Sequence, residues 1–285
     1  MECRHKILLK SGITVPCGKC AVCLANLRQE WVFRLKQEYL DSEFAIFVTL
    51  TYDDDHLPLD FSVNKKDVQL FHKRLRKHFP SKDLRYYLVS EYGDRTHRPH
   101  YHGLYFFKTK YELSSLYDVF EKAWSNGFIK FGNVEEGSIV YCTKYCLKHC
   151  VVPPGCKPTF RLVSKQDGGL GSRYLTLMSD YHITNEQFGF VSSEGSICRM
   201  PKYFRDKLKP KLNPALPEYY ERQFRSCDEV YSKNIRDFNQ DFRDFCSNHS
   251  FPDLVSAERA FNEYLQNCAQ NQEELIVKHC KKQIL

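Results

Sequence analysis

The sequence lacks several features that would place it in a major class of protein. No apolar run approaches the roughly 20 residues that a membrane-spanning helix requires, and no secretory signal with its small-residue cleavage site opens the chain. A Gly-Lys-Ser/Thr phosphate loop of the Walker type is also absent. We therefore expect a protein that works in a cytoplasm, without a membrane segment, and that uses no nucleoside triphosphate in its own chemistry.

What the chain does contain is a moderate excess of basic residues and many cysteines. Its 285 residues carry 42 Lys and Arg against 35 Asp and Glu, and the resulting net charge of +7 favours a polyanionic partner without proving one. The thirteen cysteines form an odd count without a secretory signal, so we expect reduced thiols. The length predicts one catalytic domain with extensions.

Hydrophobic patterns divide the chain into three parts. Residues 1–40 form a Cys-rich arm, residues 41–181 the catalytic domain, and residues 182–285 a mostly helical extension without a recognisable chemical motif. Within the middle part, strand patterns cover residues 45–52, 84–91, 100–107 and 128–134, and helical patterns cover residues 64–79, 111–124 and 139–149. This order indicates an α+β domain in which helices pack on an antiparallel sheet. Asp53, Asp54 and Asp55 follow the first strand, and we interpret them as a solvated turn rather than metal ligands.

Two histidines on one predicted strand form the first chemical motif. Because side chains alternate along a strand, His100 and His102 project to the same face, about 6.6 Å apart along the backbone. Glu91 ends the partner strand of the predicted hairpin and could complete a site for Mg²⁺ or Mn²⁺. An isolated His-x-His pair is also compatible with surface decoration or packing, but imidazoles on an apolar strand are costly to bury without a partner.

Two tyrosines on the last predicted helix form the second motif. Tyr141 and Tyr145 lie four residues apart on one helical face, and Lys144 and Lys148 follow each by three. A phenol with a pKa of about 10 must lose its proton before it attacks a phosphodiester, and a nearby cation helps. The same residues could merely provide packing and solvated charge. Cys142, Cys146 and Cys150 on this helix are predicted to pack against the sheet as small apolar side chains.

The amino-terminal arm and the first helix of the domain offer two further candidate sites. Cys17, Cys20 and Cys23, with Cys3 as a fourth ligand, are candidates for a structural Zn²⁺ site, although a reduced unliganded cluster or an iron–sulfur cluster also fits the spacing. The basic residues predicted to contact DNA phosphates are Arg98, Lys66, Lys73, Arg74 and Lys77.

Taken in order, these motifs resemble those of the His-hydrophobe-His (HUH) endonuclease superfamily. The resemblance rests on Phe47-Val-Thr-Leu-Thr-Tyr52, then Glu91 and Arg98-Pro-His-Tyr-His-Gly103, then Tyr141-x-x-Lys-Tyr145. The opening Val15-Pro-Cys-Gly-Lys-Cys-x-x-Cys23, followed by Arg28, Trp31 and Arg34, is similar to replication initiators of microviruses, gokushovirus group. The resemblance covers residues 1 to about 180.

The resemblance implies a ferredoxin-like fold and a rolling-circle replication initiator. In such a protein a metal held by His100, His102 and Glu91 polarises the scissile phosphate, and one of Tyr141 and Tyr145 attacks to leave a 5′-phosphotyrosine and a free 3′ hydroxyl. The other tyrosine cleaves the regenerated origin and allows the displaced strand to be rejoined. The implied partners are single-stranded and replicative-form viral DNA, a host helicase and a DNA polymerase, in the cytoplasm of a bacterial host.

Two alternatives remain open from the sequence. A plasmid initiator, relaxase or transposase would use the same metal and tyrosine chemistry on a different DNA programme. A non-catalytic zinc-containing DNA-binding protein would use its basic helix and cysteines to hold DNA while the histidines pack. A strand-cleavage assay with Mn²⁺ separates the enzymes from the binding protein.

Overall fold

The fold was obtained as a computed structural model. It describes residues 3, 5–10, 12, 14–93, 95–144, 152–191 and 197–209, and in the last part 218–219, 222, 240–241, 243–250, 252–253, 256–257, 260–261 and 263–264. Its helices over these residues are α1 (Ala21–Leu40), α2 (Lys65–Leu75), α3 (Leu113–Ala123), α4 (Glu136–Lys144), α5 (Arg173–Thr184) and α6 (Lys202–Leu208). Its strands are β1 (Ile7–Leu8), β2 (Thr14–Val15), β3 (Phe44–Tyr52), β4 (Leu84–Tyr92), β5 (Pro99–Phe107), β6 (Gly127–Asn133), β7 (Arg161–Val163), β8 (Gly189–Val191) and β9 (Ile197–Arg199).

A five-stranded antiparallel sheet organises the domain. Its strand order is β6-β3-β5-β4-β7, so β5 lies at the centre. The run β3-α2-β4-β5-α3-β6 is a split βαβ arrangement, in which β5 returns between β3 and β4. The predicted α+β class and ferredoxin-like topology are therefore confirmed, and the predicted strands and helices of this run differ from the observed bounds by a few residues at most.

One face of the sheet packs against α2 and α3. Val68, Phe71 and Leu75 from α2 meet Leu116 and Phe120 from α3, and all five side chains are buried. From the sheet, alternate residues of β3 point into this layer: Ile46, Val48, Leu50 and Tyr52. Each fully buried side chain of this size contributes about 1.5–3 kcal/mol to folding, so this layer is the main core of the domain.

The opposite face is only partly covered, by α1 and α4. Trp31 and Leu35 from α1 and Ile139 and Cys142 from α4 pack on the second set of alternate residues of the sheet. Lys36 on α1 also pairs with Glu136 on α4, which holds the two helices together. Cys142 is fully buried, so the prediction that this cysteine packs the helix against the sheet is confirmed.

The segment after β7 adds a third cluster beside α1. Phe33 packs with Leu175 of α5, and with Phe188, Met200 and Phe204 beyond it. The boundary predicted at residue 181 thus lies inside α5, and residues up to Leu208 contribute to packing on α1. Among the described helices, none combines the length and apolar character that crossing a bilayer would demand.

Candidate active site at the end of the central strand

The two histidines lie on the sheet face that α1 and α4 cover only in part. In β5, His100 and His102 are separated by the buried Tyr101, which points into the main core on the other face. His100 pairs with Glu91 on β4, and residues directly opposite each other in an antiparallel pair project to the same face. The fold therefore brings the three predicted metal ligands to one side of the sheet.

Glu91, His102 and Tyr141 form a contact group at this site. Nε2 of His102 lies 3.2 Å from Oε2 of Glu91. The Tyr141 hydroxyl donates a hydrogen bond to the same carboxylate oxygen at 3.3 Å and lies 3.5 Å from His102 Nε2. Glu91 and His102 are buried, whereas Tyr141 is 37% exposed, so a phenol open to solvent meets two nearly enclosed polar groups.

The orientation of His102 is set by residues of β3. Thr49 pairs with His102 across the strands, and its Oγ1 lies 3.1 Å from His102 Nδ1. This contact occupies Nδ1, so Nε2 is the nitrogen that faces Glu91 and Tyr141. The Phe47 ring is parallel to the imidazole at 5.8 Å between centroids, and the Tyr141 ring stands edge-on to it at 5.2 Å.

His100 is half-buried, and its surroundings favour the neutral imidazole. Burial is the largest influence and lowers the pKa of His100, and the nearby His102 lowers it further, while Glu91 acts in the opposite direction. Gly93 leaves room for the ring, because a Cβ at that position would lie 2.9 Å from His100 Cε1. A neutral imidazole retains the nitrogen lone pair that a metal ligand needs.

The predicted catalytic helix is described only in its first part. Tyr141 and Lys144 belong to α4, and the Lys144 side chain is exposed. Tyr145 and Lys148, with Cys146 and Cys150, lie outside the described residues. The structure thus places one of the two predicted nucleophiles at the His102–Glu91 pair.

Arg98 and the aspartates after β3 form a local network rather than a free basic surface. Arg98 Nη1 lies 2.6 Å from Asp54 Oδ1, and Nη2 donates to the Tyr52 carbonyl at 3.1 Å. Asp53 accepts from the His56 backbone N–H at 2.8 Å, as expected of a polar turn. Arg98 therefore ties the turn before β5 to the end of β3, and its predicted contact with DNA stays a prediction.

The four basic residues predicted on α2 lie across the sheet from the histidines, because α2 packs on the opposite face. Lys66, Lys73 and Lys77 are exposed, whereas Arg74 is half-buried and its Nε donates to the Ala123 carbonyl at 2.7 Å. The structure does not bring this basic surface to the candidate active site. Its role as a phosphate contact stays a prediction.

The four cysteines of the amino-terminal arm are brought together. The sulfur atoms of Cys3, Cys17, Cys20 and Cys23 all lie within 4.8 Å of one another. Cys3 and Cys23 are buried, and Cys17 and Cys20 are partly exposed. Hydrogen bonds from the backbone N–H groups of Lys19 and Cys20 are the largest influences on Cys17 and lower its pKa to about 6.

The sequence alone assigns no separate role to Thr49 or Phe47. Both lie on β3 at positions whose side chains share the face of His102, as the period of two along a strand requires. The sequence signal is present in Phe47-Val-Thr-Leu-Thr-Tyr52, but the pairing of Thr49 with His102 depends on the register of two strands more than 50 residues apart in the chain.

Comparisons with known proteins agree with this site. Residues 45–150, which begin in β3 and include the histidines, Glu91 and both tyrosines, match the family model that describes the replication-associated protein ORF2. The chain is 28% identical over 257 residues to replication-associated protein VP4 of Bdellovibrio phage phiMH2K, which covers 82% of this chain and 80% of that protein. No solved structure matches the chain.

Two further relatives are also replication-associated proteins. ORF4 of Chlamydia phage 1 is 29% identical over 68% of this chain and 53% of its own length. ORF2 of Spiroplasma virus 4 is 27% identical over 69% of this chain and 68% of its own length. The predicted resemblance to the replication proteins of microviruses is confirmed by these matches.

Proposed function

We propose that this protein is a rolling-circle replication initiator that nicks one strand of viral origin DNA, with Tyr141 as a nucleophile. The observation that carries the proposal is the position of the Tyr141 hydroxyl, 3.3 Å from Glu91 Oε2 and 3.5 Å from His102 Nε2. A solvent-accessible phenol beside a buried imidazole and carboxylate is suited to attack a phosphodiester brought from solution. The names of the relatives support a role in replication.

The donor set at this site fits a divalent cation. His100 and His102 share one sheet face with Glu91, and the Thr49 contact leaves His102 Nε2 directed towards the carboxylate. Two neutral imidazoles and one carboxylate can hold Mg²⁺ or Mn²⁺ and leave positions open for water and phosphate oxygens. When bound there, the cation would supply the positive charge that polarises the scissile phosphate.

The chain's own residues account for the remaining steps. The hydrogen bond to Glu91 orients the Tyr141 phenol, and Lys144, one helical turn further along α4, adds a positive charge that favours loss of the phenolic proton. The phenolic oxygen forms a bond to phosphorus as the bond from phosphorus to the 3′ oxygen breaks, and the 3′ oxygen takes up a proton. One phosphodiester replaces another, so no nucleoside triphosphate is consumed.

The second half of the cycle is assigned to Tyr145. It follows Tyr141 by four residues in the sequence, with Lys148 placed as Lys144 is to Tyr141. While one tyrosine holds the 5′ end, the other cleaves the regenerated origin, and strand transfer closes a circle. The substrates would be replicative-form and single-stranded viral DNA inside the bacterial host, with a host helicase and DNA polymerase supplying unwinding and synthesis.

A strand-cleavage assay tests the proposal. We expect the wild-type protein with Mn²⁺ to cut a labelled single-stranded origin oligonucleotide and to leave a covalent protein–DNA species on a denaturing gel. His100→Ala and His102→Ala should abolish cutting yet bind the oligonucleotide within about twofold of wild type, because the histidines occupy one edge of the site. Glu91→Ala should lose less activity, since water can replace one oxygen ligand.

His78→Ala provides the matched control, because His78 is an exposed histidine beyond α2. It should cut at the wild-type rate. Wild-type cutting by both His100→Ala and His102→Ala would overturn the metal assignment. Binding without any cutting by the wild-type protein, over a range of metals, would instead favour the non-catalytic DNA-binding alternative.

A further inference from the structure

The sulfur atoms of the amino-terminal cysteine cluster have the spacing of a tetrahedral metal site. Cys3 Sγ lies 3.6 Å from Cys17 Sγ and 3.7 Å from Cys20 Sγ, and Cys17 Sγ lies 3.9 Å from Cys23 Sγ. Four sulfurs bound to one Zn²⁺ at about 2.3 Å are separated by about 3.8 Å, the edge of the tetrahedron. The observed distances therefore match a four-thiolate site around a single ion.

The local backbone also favours the thiolate form of these cysteines. The backbone N–H groups of Lys19 and Cys20 donate to Cys17 Sγ at 3.5 and 3.3 Å, and the Cys17 N–H donates to Cys3 Sγ at 3.4 Å. Gly18 makes this tight loop possible with a φ of +72°, which lies in the left-handed region. Hydrogen bonds that point at sulfur stabilise the negative charge that a metal ligand must carry.

Other uses of the four thiols fit the geometry less well. Two disulfides would divide the cluster into two pairs, each with sulfurs about 2.05 Å apart, whereas Cys3 lies almost equally far from two different partners. An iron–sulfur cluster needs room for several atoms between the ligands, but all four sulfurs lie within 4.8 Å of one another. Space for one ion remains.

We propose that Cys3, Cys17, Cys20 and Cys23 bind one structural Zn²⁺, which fixes the amino-terminal arm to the start of α1. The arm needs such a crosslink because β1 and β2 have two residues each, and Ile7 and Leu8 are exposed rather than packed in a core. The main sheet does not depend on it, since its two layers are formed by residues from Leu27 onwards. Loss of the metal should loosen the arm and leave the sheet folded.

The test begins with elemental analysis of the full chain prepared without chelator. We expect about one zinc per chain in the wild type and in His102→Ala, and less than a fifth of that amount in Cys17→Ser and Cys20→Ser. Cys156→Ser is the matched control, because Cys156 is a partly exposed thiol outside the cluster. The His102→Ala sample separates this site from the proposed catalytic metal, so either proposal can fail alone.

Two further measurements guard against a folding defect in the serine variants. Removal of zinc from the wild type should expose Lys6, Lys10 and Lys19 to trypsin at least tenfold faster while circular dichroism of the sheet is retained. Replacement by Co²⁺ should give the visible absorption of tetrahedral thiolate coordination. Absence of zinc from the wild type, full zinc in both serine variants, or one iron per chain in its place would overturn the proposal.

A second, independent observation concerns the uncovered edge of the sheet beside the histidines. Thr51 pairs with His100 on one side and with Phe128 of β6 on the other, so Phe128 shares the sheet face of the site. The Phe128 side chain is 68% exposed on the edge strand. Two residues further on, the exposed Lys130 pairs with Thr49, the neighbour of His102. An aromatic ring and a cation thus extend the rows of the two histidines.

We infer that Phe128 stacks on a base, and Lys130 contacts a phosphate, of single-stranded DNA next to the cleavage position. This inference rests on the proposed function. Single-strand binding surfaces combine aromatic rings, on which any base can stack, with cations that follow the backbone. Here both features are continuous with the His100–His102 site, and the positive charge of Lys130 complements the phosphate backbone.

Binding in the uncleavable His102→Ala background tests the inference without requiring nicking. Phe128→Ala should weaken binding of a single-stranded origin oligonucleotide about 5- to 150-fold, and Phe128→Trp should restore it. Lys130→Ala should weaken binding and make the salt dependence shallower by about 0.7 in logarithmic slope. Leu177→Ala, which removes an equally exposed apolar side chain from α5, should have no effect.

The two proposals about DNA fail in different ways. If Phe128→Ala and Lys130→Ala both bind within twofold of their background protein, the strand does not follow this edge, whatever the nicking assay gives. If both variants weaken binding as expected while the wild-type protein never cuts, the binding surface stands and the nicking proposal fails.

Discussion

The Tyr141 hydroxyl donates a hydrogen bond of 3.3 Å to Oε2 of Glu91, although the two residues are 50 positions apart in the chain. Glu91 reaches this contact from the end of β4, and Tyr141 reaches it from α4, which packs over the sheet through Ile139 and Cys142. The nucleophile is thus fixed against the sheet by its own helix. The position of α4 decides whether the phenol meets the histidines.

The first prediction concerns the two tyrosines. Tyr141→Phe and Tyr145→Phe should each retain measurable cutting of an oligonucleotide, because the remaining phenol can reach the same phosphate. Strand transfer should fall further than cutting in both single variants, since the second cleavage requires a free tyrosine. The double variant should form no covalent adduct.

Peptide mapping of the adduct checks this directly, with Tyr39→Phe as a control that replaces an exposed tyrosine on α1. An adduct formed by the double variant at the wild-type rate, or located on another residue, would show that the two-tyrosine mechanism is wrong.

The second prediction concerns Thr49 as a positioning residue for His102. Thr49→Val keeps the shape of the side chain but removes the contact to Nδ1, so the metal concentration needed for half-maximal cutting should rise about 10- to 100-fold. Thr49→Ser retains a hydroxyl and should restore most of the activity. Thr51→Val is the control, because Thr51 bonds only weakly, at 3.5 Å, to the Phe128 carbonyl.

The measurement is a metal titration of cutting with saturating DNA. A purely structural role for Thr49 would lower the rate at every metal concentration without moving the midpoint. An unmoved midpoint in Thr49→Val would therefore contradict the positioning role.

The third prediction concerns the basic surface of α2. Replacing Lys66, Lys73 and Lys77 together should weaken binding similarly for all sequences and reduce the logarithmic salt slope by about 2, if each contacts one phosphate of a single strand. Arg74 is left in place because its guanidinium binds the Ala123 carbonyl, and its removal would disturb the packing of α3. Lys165→Ala serves as an exposed single-charge control.

Fluorescence anisotropy at several salt concentrations measures the slope. No change in the triple variant would mean that this surface is solvated charge, which its location across the sheet from the histidines would then explain.

The fourth prediction concerns stability in acid and the buried His72. Burial lowers the pKa of His72 to about 3, and its ring is stacked on Tyr86 with Nε2 3.0 Å from the Tyr105 hydroxyl. The unfolded chain binds a proton at this residue near pH 6.5, whereas the folded chain does not until about pH 3. Stability is therefore lost as the pH falls through this window.

Between pH 6.5 and pH 5 the loss from His72 should be about 2 kcal/mol. In His72→Phe the free energy of unfolding should fall less over this range, by about that amount, whatever the variant costs at neutral pH. Urea unfolding at the two pH values measures the difference. His78→Asn, at an exposed position, should retain the wild-type dependence, and an identical dependence in His72→Phe would contradict the prediction.

The sequence was sufficient for most of the domain because its signals are local. Alternation in residues 45–52 and the helical stripe of Val68, Phe71 and Leu75 are fixed by the geometry of single elements, so strands and helices could be placed within a few residues. The period of two also placed His100 and His102 on one face, and the hairpin made Glu91 their neighbour. These inferences needed no knowledge of distant contacts.

Tertiary structure decided the rest, because it depends on contacts between residues far apart in the chain. The basic surface of α2 was a correct local pattern, yet the face against which its apolar stripe packs puts it across the sheet from the histidines. Thr49 could be assigned to His102 only through the register of β3 and β5, and Phe128 to the site face only through that of β3 and β6. Cys3 joins Cys17, Cys20 and Cys23 because the arm folds back by 14 residues or more, and Tyr141 meets Glu91 because Ile139 and Cys142 seat α4 on the sheet. Periodicity determines which face a side chain occupies, whereas burial of apolar surface between distant elements determines what that face meets.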